Sequence, residues 1–123
     1  LKQYKGEWEF DTNWKMIFGH PKKAGWIKAI QEAQQTVQKG LKLDCPILVM
    51  SSNKSFPETE TWHEEYMTSD IVLDVQDIQK YGEKLGDKVT RDTIPNGIHD
   101  LILSQKPYRN DAYQTIFEWL KKQ

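Results

Sequence analysis

His99 follows the turn tripeptide Pro95-Asn96-Gly97, and two carboxylates, Asp70 and Asp74, stand some thirty residues before it in the chain. An imidazole and a carboxylate are the two parts of a general-base pair. The carboxylate accepts the ring Nδ1–H, which fixes the tautomer and leaves Nε2 free to take a proton. A helix beginning near Val75 also needs a cap. Asp70 or Asp74 can supply it, and Asp77 stands three residues beyond Asp74 in the capping-box position.

The remaining reactive side chains are less well placed. His20 and His63 have no partners at metal-ligand spacing, so no metal site is expected. Ser51, Ser52, Ser55, Ser69 and Ser104 each carry a hydroxyl, but none stands in the strained strand-to-helix turn of an activated nucleophile. Asp100, beside His99, reads as a loop-organising residue. Cys45 is the single cysteine, which excludes an internal disulfide and a cysteine-based zinc site. Its place before an apolar run predicts a buried, inert thiol.

The elements that must position the pair follow from periodicity. Trp26, Ile27, Ile30, Ala33 and Val37 recur at helical spacing after Pro21, and Gly40 stops the pattern, which predicts a helix over 22–39. Cys45 to Met50 contains the unbroken apolar run Ile47-Leu48-Val49-Met50 and reads as a strand buried on both faces. The polar stretch from Asn53 to Ser69 is too long for an ordinary connection and is expected to be functional or mobile. Val75, Ile78, Tyr81 and Leu85 predict a helix over 75–85, and Val89 to Ile94 a second strand. A last helix is expected over 109–121, with Ala112, Ile116, Phe117 and Leu120 inward and Trp119 at the margin.

Helices alternating with strands predict an α/β fold with parallel strands flanked by helices. Sites in open α/β sheets form beyond the carboxyl ends of strands, where both the Asp70 and the His99 segments fall. Two strands make a poor sheet, so further strands are expected N-terminal to Leu1 or from another chain. The aromatic start (Tyr4, Trp8, Phe10, Trp14, Phe18) fits neither periodicity and reads as an extended segment whose rings pack elsewhere. This divides the chain into an aromatic-rich linker region, 1–21, and a core region, 22–123.

Composition agrees with an ordinary globular chain: 37% hydrophobic, 28% charged, formal net charge -1. So even a balance gives no electrostatic footprint for nucleic acid. No apolar run approaches the roughly 18 residues of a membrane span. With no signal-peptide pattern and one cysteine, a cytoplasmic location is expected.

Three stretches resemble the C-terminal end of the serine α/β-hydrolase family, in its lysophospholipase and serine-aminopeptidase-like branch. Cys45-Pro-Ile-Leu-Val-Met-Ser-Ser is similar to the sixth or seventh core strand, and Ser69-Asp70-Ile-Val-Leu-Asp-Val to the acid loop. Ile94-Pro-Asn-Gly-Ile-His99-Asp-Leu-Ile-Leu-Ser is similar to the histidine loop, and Tyr113 to Leu120 to the last helix. The resemblance covers about residues 22–123, and the aromatic stretch Trp8 to Phe18 is similar to the end of the family's lid region, which implies a lid end within 1–21. It implies a C-terminal fragment of an α/β-hydrolase fold, a partial three-layer sandwich. It implies His99 as catalytic base and Asp70 as its acid, with Asp74 the alternative, and no cofactor. The implied substrate is a small-molecule or lipid ester, such as a lysophospholipid or monoacylglycerol.

The family order is serine, acid, histidine, and the G-x-S-x-G nucleophile elbow is absent: the glycines four apart, Gly82 and Gly86, flank Lys84. The expectation is a hydrolase portion that supplies acid and base but no nucleophile, inactive alone, with sheet edges open to self-association. The alternative is a non-catalytic binding or dimerisation module using the aromatic N-terminal segment.

Overall fold

The computed structural model describes residues 7–15, 19 and 21–123. Tyr4, Phe18 and His20 lie outside the described residues. The chain divides into two compact units, 1–36 and 37–123. The division falls inside the first helix.

The first unit contains most of helix α1 (Ala24–Lys39), none of whose residues is buried. Its described aromatic residues Trp8, Phe10 and Trp14 are exposed, Trp14 at 88% of its surface. The helix ends where the sequence expected, at Gly40, whose φ of +101° lies in the left-handed region that glycine enters without a Cβ penalty.

The second unit is mixed α/β. Strand β1 (Ile47–Ser52) pairs in parallel with β2 (Val89–Ile94), Ile47 opposite Val89 and Ser52 opposite Ile94. Between them lie α2 (Val75–Gly82) and a 3-10 turn at Glu83–Leu85; α3 (Lys106–Leu120) follows β2. Neighbouring strand residues project to opposite faces. Arg91 donates to the Gln79 carbonyl of α2 and pairs with Glu83, while Thr90 accepts the Trp119 indole N–H of α3 at 3.1 Å. The two helices therefore cover opposite faces of the ladder. Gly82 lets α2 approach β1: a Cβ there would stand 2.9 Å from Val49 Cγ1.

Several expectations need correction. β1 begins two residues late and runs on through Ser51 and Ser52, because the ladder with Thr93 and Ile94 continues, while Pro46 has no N–H to contribute. Cys45, left in the bend before the strand, is exposed and not buried. Ile47 to Met50 are half-buried rather than covered on both sides, since a two-stranded ladder offers little area for helices to cover. α3 starts at Lys106, because Pro107 is tolerated in a first helical turn. Its inward face carries buried Ala112 with half-buried Ile116 and Trp119, whereas Phe117 and Leu120 are exposed.

The long segment after β1 is a closed Ω-type loop. Its ends meet where Ser55 bridges Asp70 in parallel: Asp70 N–H donates to the Lys54 carbonyl and Phe56 N–H to the Asp70 carbonyl. The loop fills its own centre. Tyr66 packs edge-on against Phe56, Trp62 and His63, and its hydroxyl accepts the Thr59 N–H at 2.7 Å. Loops of this kind are held by their own side chains. Among the described residues no helix is long and apolar enough to cross a membrane.

Candidate acid–histidine site

The buried hydrophobic residues of the described chain are Val75, Ile94 and Ala112, yet five polar residues are buried as deeply: Ser51, Ser52, Ser69, Asp70 and Ser104. Burying a polar group costs free energy unless its hydrogen bonds are replaced. The strand ends and the loops after them are thus where this fold concentrates its polar burial.

Asp70 is the centre of that network. Its carboxylate is 1% exposed. Oδ1 accepts the backbone N–H groups of Val72 and Leu73 at 2.8 and 2.9 Å, an aspartate turn that the chain makes locally. Oδ2 lies 2.9 Å from Nδ1 of His99, across 29 residues of sequence. A carboxylate only accepts, so Nδ1 carries the proton in this contact and Nε2 is left with a lone pair. Nε2 has no hydrogen-bond partner among the described residues, and the imidazole is 42% exposed. The pair therefore has a buried end that fixes the ring and an open end that can exchange a proton.

Each partner is held independently of the other. On the acid side, the Ser55 hydroxyl donates to the Leu73 carbonyl and accepts the Val75 N–H, tying β1's extension to the start of α2. On the histidine side, Asn96 has a φ of +59°, the left-handed value that Asn tolerates, and donates its N–H to the Asn53 side chain. Asn53 thus links the loop after β1 to the turn after β2. The Asp100 side chain accepts the Ile102 N–H and caps the short Leu101–Leu103 turn, the loop-organising role expected of it.

Asp74 does not share the site. Its side chain accepts the Gln76 N–H at 2.9 Å and caps α2. The serine hydroxyls are engaged elsewhere: Ser51 with Gln79 and the Ser52 carbonyl, Ser52 with the Lys54 N–H, Ser104 with the Ile98 N–H. Ser69 Oγ is buried with no hydrogen-bond partner among the described residues. His63 contacts Thr61 through Nε2. Among the described residues no group of three or more His, Cys, Asp or Glu gathers to hold a metal ion.

Sequence reasoning weighed Ser55 and Ser104 only as nucleophiles and passed over Asn53. All three are bonded to the loops that carry the pair. Their partners lie up to 43 residues away, or on a backbone N–H, and neither leaves a local pattern. No protein-family model, no curated protein and no solved structure matches the chain.

Proposed function

We propose that this chain is the C-terminal portion of a serine α/β-hydrolase, contributing the acid Asp70 and the base His99 of a catalytic triad. The observation that carries the reading is the 2.9 Å contact between Asp70 Oδ2 and His99 Nδ1, beyond the carboxyl ends of two parallel strands. The serine comes from outside these 123 residues. Nε2 of His99 takes its proton as it attacks an ester carbonyl, and the tetrahedral intermediate expels the alcohol as Nε2 returns that proton to it. Water then repeats the sequence on the acyl-enzyme. Asp70 holds the tautomer and stabilises the imidazolium without itself taking the proton.

The substrate class is an ester of apolar character, such as a lysophospholipid or monoacylglycerol. Ile71, Val72 and Leu73 beside the acid and Leu103 beyond the histidine are exposed apolar side chains, which suits such a substrate. The test is hydrolysis of p-nitrophenyl esters by the protein expressed in its full reading frame. His99→Ala is expected to lower kcat by about 10³-fold or more. An unchanged rate overturns the proposal.

A second reading, a binding or dimerisation module built on the N-terminal aromatics, is favoured by the exposure of Trp8, Phe10 and Trp14. It predicts that a Trp14→Ala change abolishes partner binding while His99→Ala does not.

A further inference from the structure

We propose that Ser104 is the positioning residue of His99, and that Arg109 in turn holds Ser104. The inference rests on the reading of Asp70 and His99 as a working pair, and it concerns what keeps the histidine there. Asp70 fixes one ring nitrogen of His99, but a 42% exposed imidazole needs its backbone fixed as well.

The backbone N–H immediately before it, that of Ile98, donates to the Ser104 hydroxyl at 3.0 Å, closing residues 98–104 into a ring. Ser104 is 1% exposed. Its N–H donates to the Leu101 carbonyl, and its own carbonyl accepts Nη1 of Arg109 at 3.1 Å. The guanidinium stands in the first turns of α3, so the histidine loop is referred to the helix that covers the sheet. The opposite side of the ring is closed by Asp100, whose carbonyl accepts the Leu103 N–H. Gly97 keeps the ring compact: a Cβ there would stand 2.6 Å from Leu101 Cδ2.

Ser104 bonds the backbone adjoining His99, whereas the Ser51, Ser52 and Ser55 hydroxyls bond groups elsewhere. Removing its hydroxyl leaves the Ile98 N–H without a protein acceptor and frees the segment that sets the ring's height above Asp70. Arg109→Ala removes the brace one step further out and acts in the same direction more weakly.

The experiment follows the His99 Nδ1–H proton by NMR and measures its exchange with water. Asp70→Asn is the control for the pair itself, and it should abolish the Nδ1–H signal. Ser104→Ala should keep the dispersed amide spectrum of a folded chain and speed exchange of that proton about tenfold, the effect of one lost hydrogen bond. Ser104→Thr, which retains the hydroxyl, should restore slow exchange. A folded Ser104→Ala with wild-type exchange overturns the role of Ser104 while leaving the pair intact. If Ser104→Ala does not fold, wild-type exchange in Arg109→Ala overturns it instead. Persistence of the signal in Asp70→Asn overturns the pair.

Discussion

Replacing Asp70 by Asn exchanges one carboxylate oxygen for an NH₂ group and reverses the logic of the site. The Asn side chain has two orientations. With its carbonyl at Oδ1 it keeps the N–H groups of Val72 and Leu73, and its NH₂ then faces His99 Nδ1. The opposite orientation points NH₂ at two donors and loses both bonds, so the first prevails. A donor facing Nδ1 makes that nitrogen the acceptor and moves the ring proton to Nε2. The base is then blocked at the atom that must receive the proton. Three bonds to a carboxylate become bonds to a neutral amide. Charge-assisted bonds are roughly twice as strong as neutral ones, but the His99 edge is open to water, so the stability cost is about 1–2 kcal/mol. Asp70→Ala removes all three acceptor contacts and should cost more, about 2–4 kcal/mol. If the proposed hydrolase reading holds, the wrong tautomer lowers kcat/KM by about 10⁴-fold, equivalent to ~5.4 kcal/mol of transition-state stabilisation. Nitrogen-15 NMR of the His99 ring, with urea unfolding of both variants, reads the tautomer and the stability separately. A ring that keeps Nδ1–H in Asp70→Asn refutes the reasoning, as does equal stability of the Asn and Ala variants.

Four further outcomes follow. Asp74→Ala should cost about 1 kcal/mol through loss of the α2 cap, read by urea unfolding, and leave the His99 ring resonances unchanged. Gly82→Ala should destabilise by about 1–3 kcal/mol because its Cβ meets Val49, and adding Val49→Ala should recover part of that loss in the same assay. Trp119→Phe removes a bond to Thr90 at a largely open site and should cost under about 1 kcal/mol in thermal unfolding. The outer edges of the β1–β2 ladder have no further strand among the described residues, so light scattering after size-exclusion chromatography should detect self-association that rises with concentration.

The order of elements and the parallel strands were legible because they rest on local period and on the alternation of helix with strand. Gly40, Gly86 and the Pro95-Asn96-Gly97 turn marked ends that the backbone respects. Where expectation and structure part, long-range geometry decides. The extension of β1 through Ser51 and Ser52 depends on β2 continuing beside it, which no window of β1 contains. Phe117 and Leu120 share a helical face with Ala112 by spacing, but the ladder is only two strands wide and covers the Ala112 and Trp119 side. The polarity of 53–69 concealed a loop whose four rings are spaced for no regular element yet contact one another inside it, while Ser55 and Asp70 bridge its ends. At the site, residue type and position beyond a strand end nominated His99 with Asp70 or Asp74, and the resemblance to the hydrolase family favoured Asp70. The residues that hold them, Asn53, Ser55 and Ser104, act through backbone groups that have no signature of their own.

The proposed triad takes its serine from outside these 123 residues, and labelling tests for it. The protein in its full reading frame is treated with a fluorophosphonate, and the modified peptide is mapped by mass spectrometry. One labelled serine is expected outside these 123 residues, within a G-x-S-x-G elbow, with labelling lost in His99→Ala. No labelled serine, or labelling that survives His99→Ala at the wild-type rate, contradicts it.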